Sequence, residues 1–121
     1  MGFLRRSAGE KKAPAAVDPV LLAEEQLRRV GADLDSPHPT RHLLLVPSVA
    51  GAQHAARILR RDDREILIDT SARKGYWLVV VTQPAVIASE TMAAIRAELE
   101  AAVQPSGGEY DTWHVEVSEA H

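Results

Sequence analysis

The side chains with chemistry to offer in this chain are its histidines and acids. Five histidines are present: His38, His42, His54, His114 and His121. His38 and His42 stand four apart, the spacing that sets two metal ligands on one helix face. Pro39 lies between them and denies that stretch a helix. His42 opens one predicted strand and His114 falls late in another. As antiparallel neighbours those strands bring the two rings within reach of each other, and Glu116 is then the nearest third ligand. No motif supports a metal there, and no metal or other cofactor is expected. Asp69, Glu109 and Asp111 are candidates for proton transfer, yet nothing places two of them in one cleft. The chain has no GxSxG, GxGxxG or GxxxxGK[ST] segment. Gly107-Gly108 follows a predicted helix and reads as a turn rather than an anion cradle. Cysteine is absent, which excludes thiolate catalysis, zinc-thiolate sites, iron–sulfur clusters and disulfides. These observations predict a protein that is not an enzyme.

With 121 residues the chain has the length of one domain. Its 45% hydrophobic and 26% charged residues are the usual mix for a globular protein with its own core. Residues 1–16 mix basic and small residues with Pro14 and are expected to be a disordered basic tail; residues 17–121 form the domain. Arg5, Arg6, Lys11 and Lys12 outweigh Glu10 in the tail. The net charge of −3 therefore leaves the domain acidic, which argues against direct binding of nucleic acid. No apolar run approaches a membrane span, and the first residues are too short for a signal sequence. A cytoplasmic location is expected. Abundant alanine, with arginine favoured over lysine, hints at a GC-rich bacterial genome.

The elements that position these residues follow from periodicity. Asp18-Pro19 opens a helix carrying Val20, Leu21, Ala23, Leu27 and Val30, and Gly31 stops it. Thr40 to Val46 is a strand with an unbroken apolar run. Pro47-Ser48 ends it and caps a helix running to about Arg61, with Ala52, Ala55, Ala56, Ile58 and Leu59 as its stripe. Arg64 to Thr70 alternates as a strand, Ala72 to Gly75 turns, and Tyr76 to Thr82 is the strongest strand. Pro84 opens the next helix, with Val86, Ile87, Met92, Ile95, Leu99 and Val103 as its apolar face. Glu109 to Val117 is the last strand, with Trp113, Val115 and Val117 on one face.

After the first helix the order is β-α-β-β-α-β. This predicts an α+β protein, a ferredoxin-like sandwich with a four-stranded antiparallel sheet and an extra N-terminal helix. The two crossover helices cover one sheet face. The first helix folding back, or a second copy of the chain in a homodimer, is expected to cover the other. RNA-binding relatives of this topology stack bases on exposed aromatics. This chain has five aromatics in all, and aliphatic Leu43 and Leu45 stand where a platform needs rings. Arg57, Arg60, Arg61 and Arg64 gather at one helix end, where cations complement the helix dipole; a docking patch for an acidic partner is the other reading.

One segment is more specific: Gly107-Gly108-Glu109-Tyr110-Asp111-Thr112-Trp113. It resembles the GGEYDGW-like signature of the ribonuclease E inhibitors called regulator of ribonuclease activity B, RraB. Arg41-His42-Leu43-Leu44-Leu45-Val46-Pro47-Ser48 looks like that family's first strand. Gly75-Tyr76-Trp77-Leu78-Val79-Val80 is similar to its third. The resemblance spans about residues 18–118. It implies a cytoplasmic, non-enzymatic protein that binds a ribonuclease E-type enzyme and slows RNA cleavage. Thr112 and His114 stand where the family favours glycine, and a basic N-terminal tail replaces the acidic tail of some members. Trp113 is expected in the core. Glu109, Tyr110 and Asp111 are the candidate partner-binding residues; the alternative is that Asp111 caps the turn and Tyr110 packs beside it.

Overall fold

A computed structural model describes residues 18–117. The expected basic tail lies outside the described residues, as does His121. The first helix, α1 (Pro19–Arg29), is started by Asp18, whose carboxylate accepts the Val20 amide at 2.9 Å, and by Pro19 in its first turn. Val30 ends it, and Gly31 follows at φ 75°. Strand β1 (His38–Val46) then leads into α2 (Val49–Leu59), capped by Ser48 through the Gly51 amide at 3.0 Å. Strands β2 (Glu65–Thr70) and β3 (Trp77–Ala85) form a hairpin, followed by α3 (Ser89–Val103), a 3-10 turn at Gln104–Ser106, and β4 (Glu109–Val115). The described residues are α+β, with three helices and one four-stranded antiparallel sheet ordered β2-β3-β1-β4. No helix among the described residues is long and apolar enough to cross a membrane.

Pro84 does not open a helix. It belongs to β3, opposite Pro39 of β1, and α3 starts only at Ser89. The Pro39 carbonyl accepts the Glu116 amide, so Pro39 turns its backbone toward β4 and asks nothing of Pro84. On its other side, pairing with β2 has ended at Thr82. The missing N–H of Pro84 is thus not needed by the ladder, and that of Pro39 falls opposite Glu116, just past the end of β4 at Val115. Helix α2 also stops earlier than its apolar stripe suggests, because Arg60 is extended at φ −61°, ψ 126°. The 3-10 turn before β4 is an addition to the expected order.

Thr40, His42, Leu44 and Val46 of β1 are fully buried, as are Val79 and Val81 of β3. Leu44, Val46, Val79 and Val81 join Ala52, Ala55 and Leu59 of α2 and Leu99, Ala102 and Val103 of α3 in one core. Ala23 and Leu27 of α1 belong to that same cluster. Helix α1 therefore does not cover the opposite sheet face as expected. Leu43, Leu45, Leu78 and Val80 alternate onto that face, and Leu45 is buried yet outside the cluster.

Arg64 is the one buried cation of the described core. Its guanidinium donates to the Leu59 carbonyl at 3.0 Å, to Gln83 Oε1 at 2.8 Å and to Glu98 at 2.7 Å. It thereby satisfies an orphan carbonyl at the end of α2 while tying α2 to β3 and α3. Of the four clustered arginines, this one is structural rather than a docking residue. The same bond holds the Glu98 carboxyl below its ordinary range.

The turn into β4 depends on its glycines. Gly107 sits at φ 77°, and its amide and that of Gly108 close onto Gln104 and Val103. A Cβ on Gly108 would lie 2.8 Å from the Leu45 carbonyl oxygen and 2.8 Å from the Val103 Cβ. Gly108→Ala is therefore expected to lower the unfolding free energy by about 1–3 kcal/mol in urea denaturation. A change within measurement error would show that the turn yields freely.

Candidate functional site

The signature segment enters the sheet through an irregularity. Leu43 pairs with Thr112, but Leu44 pairs with Tyr110, so Asp111 is an extra residue opposite none. This bulge reverses the alternation of β4. Tyr110, Trp113 and Val115 consequently share the core face, while Glu109 and Asp111 are exposed. Of the three candidate partner-binding residues, Glu109 and Asp111 therefore offer side chains to a partner. Tyr110 does not: it is 8% exposed.

The Tyr110 hydroxyl is instead committed to His42, 2.7 Å from Nδ1. His42 Nε2 lies 2.9 Å from Thr40 Oγ1, which donates to the Gln83 carbonyl at 2.8 Å. That order fixes the protons. Thr40 has spent its only hydrogen on Gln83, so it accepts from Nε2–H. Nδ1 then accepts from the Tyr110 hydroxyl. The imidazole is neutral, and each polar atom in the line is paired. Trp113 stacks on the His42 ring at 6.3 Å between centroids and 27° between planes. Arg96 of α3 lies 5.0 Å over the Tyr110 ring.

Burial, with the positive charge of Arg64 and the nearby His114 acting the same way, lowers the His42 pKa to about 4. Burial likewise pushes the Tyr110 phenol above its ordinary range. His42 and His114 do not form a ligand pair. Trp113 and Arg41, their respective partners across the ladder, lie on opposite faces, and both His42 nitrogens are engaged. Among the described residues no three metal-ligating side chains converge. His38 is held by the Asp33 carbonyl at 2.6 Å, and His54 is exposed on α2.

Two depressions lie near this machinery. A cleft of about 670 Å³ separates the end of α1, at Leu27 and Val30, from His38, His114 and Glu116. Glu116 is already paired with Arg41 at 2.6 Å. The second is a groove of about 400 Å³ between Ala97, Glu100, Ala101 and Gln104 of the α3 end and Gly108 and Glu109 of the turn. Glu109 reaches past the end of β1 to Arg73 in the β2–β3 turn at 3.4 Å, a solvated pair of small energetic weight. Asp111 stands beyond it. The arrangement is an acidic ledge at the turn into β4, with the neutral hydrogen-bonded line of Tyr110, His42 and Thr40 buried beneath it.

Sequence reading located the signature but missed that Tyr110 and His42 act together, since they are 68 positions apart and no local pattern links them.

The unfolded imidazole of His42 takes up its proton near pH 6.5, the folded one only near pH 4. Between these values the unfolded chain holds more proton, so stability falls as pH is lowered, by about 3 kcal/mol at most, and is fully present above pH 6.5. Urea denaturation from pH 4.5 to 7 should show this slope, and His42→Gln should flatten it. An unchanged slope would place the titration elsewhere. Tyr110→Phe strands Nδ1 without a donor and should cost about 1–3 kcal/mol while the far-ultraviolet circular dichroism is retained.

With the geometry established, comparison with known proteins gives two results. The family model described as regulator of ribonuclease activity B, RraB, matches residues 23–115. No protein of curated function matches the chain.

Proposed function

The chain belongs to the RraB family, and we propose that it binds a ribonuclease E-type endoribonuclease in the bacterial cytoplasm and slows RNA cleavage by docking, without chemistry of its own. The observation that carries this reading is the family match over most of the domain, a family of regulators of ribonuclease activity. Regulation of a ribonuclease implies a protein partner of that kind. We also read the sheet as a ferredoxin-like βαββαβ sandwich. The order β2-β3-β1-β4, in which each crossover helix links strands separated by one other, supports this.

The docking surface in this reading is the acidic ledge. Glu109 and Asp111 are exposed, and Glu109, paired with Arg73, also lines the shallow groove along α3. Tyr110 serves from beneath by fixing the bulge that turns Asp111 away from the core. Charged groups at the rim of a contact act chiefly on encounter and specificity. Rigidity of the turn reduces what must be ordered on binding.

A second reading draws on the sheet face that α1 leaves uncovered. Leu43, Leu78 and Val80 are half-buried there, beside exposed Leu67, and no other described element packs on them. This face supports a homodimeric interaction module whose partner is unrelated to a ribonuclease. Sedimentation at tens of micromolar separates the two: a dimer abolished by Val80→Glu favours this second reading.

Titration calorimetry of the chain into full-length ribonuclease E-type enzyme from the same organism, with an RNA-cleavage assay alongside, tests the main proposal. Saturable binding and slower cleavage are expected. Glu109→Lys combined with Asp111→Lys should weaken binding about tenfold or more, with the melting temperature within a few degrees. Absence of binding would overturn the reading.

A further inference from the structure

Among the described residues, strand β2 is the outer strand of the sheet, with β3 on one side and no strand on the other. The direction of its backbone groups follows from the rest of the ladder. Pro39 faces β4, so Thr40, His42, Leu44 and Val46 exchange bonds with β3, at Gln83, Val81, Val79 and Trp77. Leu78, Val80 and Thr82 therefore face β2, at Asp69, Leu67 and Glu65. The N–H and C=O groups of Ile66, Ile68 and Thr70 are left pointing outward. Asp69 Oδ1 accepts the Thr70 amide at 2.7 Å, as expected for an amide that the ladder does not use. Ile66 and Ile68 hold the free edge.

The side chains along this edge are unusually apolar for solvent. Leu67 is 60% exposed and Ile68 36% exposed, and Ile58 on the adjoining α2 is 55% exposed. On the face of Leu67, Glu65 and Asp69 stand two positions to either side, both exposed. The edge thus reads acid–apolar–acid on one face and carries two isoleucines on the other.

We propose that β2 accepts a fifth strand from a protein partner, an extended segment with basic residues two positions before and after an apolar one. Four backbone hydrogen bonds would come from Ile66 and Ile68, and two ion pairs from Glu65 and Asp69. Two other occupants fit less well. In a pairing of two copies with Leu67 opposite Leu67, Glu65 of each chain falls opposite Asp69 of the other, and like charges so placed are destabilising. In the chain's own N-terminal segment, no two of Arg5, Arg6, Lys11 and Lys12 are four positions apart. Such charges can also guard an edge against aggregation. A guarded edge, however, gains nothing from leaving Leu67, Ile68 and Ile58 in water. The strand edge lies apart from the acidic ledge, since β2 and β4 are opposite edges about 14 Å apart at three strand spacings, although Glu109 reaches Arg73 in the turn after β2.

The test is titration of the ¹⁵N-labelled full chain with the nine-residue peptide Ser-Thr-Arg-Val-Leu-Val-Arg-Thr-Ser and with the same peptide carrying Glu for both Arg. Saturable shifts centred on the Ile66 and Ile68 amides are expected. The basic peptide should bind about tenfold more tightly than the acidic one. Glu65→Lys with Asp69→Lys should invert that preference, and Ile68→Pro should abolish binding while leaving the β2–β3 bonds intact. Equal affinity for both peptides, shifts confined to the ledge or the open sheet face, or no saturable shift would overturn the proposal. Because no ribonuclease is present, the result is independent of the ledge reading. Peptide binding without ribonuclease binding leaves the edge standing alone, and ribonuclease binding without peptide binding leaves only the ledge.

Discussion

His42 sits neutral and shielded from water between a phenol that donates to it and a hydroxyl that accepts from it, and the sheet is registered around that arrangement. The line does not stop at Thr40. Its hydroxyl ends on the Gln83 carbonyl, and the Gln83 side chain accepts from Arg64, which reaches Glu98. Tyr110 on β4, His42 on β1, Gln83 on β3 and Glu98 on α3 are thus joined through one residue that uses both its backbone and its amide. Each bond contributes about 0.5–1.5 kcal/mol net, but losing a buried partner costs more than making the bond gains. An apolar core tolerates small shifts between layers. This line does not, because displacing any strand by one residue leaves several polar atoms unpaired at once.

The bulge at Asp111 is the local consequence. Gly107 and Gly108 bring the chain close against Leu45 and Val103, and two residues later Tyr110 must reach Nδ1 of His42. Trp113 must also lie on the same ring. Tyr110 and Trp113 are three apart, an odd spacing that a regular strand places on opposite faces. Only an inserted residue allows both to face inward. Asp111 is that residue, and its outward direction follows from demands made by the core. The exposed acid is therefore positioned by groups that no solvent reaches.

This explains what the sequence could and could not convey. Local signals were sufficient for the start of α1 at Asp18-Pro19, the cap at Ser48, the order of strands and helices, and the core phase of Trp113 and Val115. They misplaced the start of α3, because Pro84 has the same local preference at a helix start as at a ladder position whose N–H is unused. The distinction depends on Pro39, 45 positions earlier. They also left Tyr110 open between surface and core, since alternation counted back from Trp113 gives the wrong face once a residue is inserted. Arg64 looked like one cation among four, and only the arrival of Gln83 and Glu98 from elsewhere in the chain distinguishes it. In each case the missing information was a long-range partner for a polar atom.

The two edges of the sheet consequently differ in kind. Strand β4 is held through Tyr110, flanked by α1 and joined to β1 again by Arg41 and Glu116. If the turn is the docking surface proposed above, a partner would meet exposed carboxylates with less conformational freedom left to lose. Strand β2 is outside the polar line. Its only ladder among the described residues is with β3, and Ile66 and Ile68 have backbone groups that this ladder does not use. Backbone pairing there is indifferent to most side chains, so selectivity has to come from the alternating residues, and the acid–apolar–acid pattern supplies it. Rigid display at one edge and strand addition at the other place different requirements on a partner: a shaped surface for the first and an extended segment for the second. If both proposed contacts form with one partner, each would raise the effective concentration of the other.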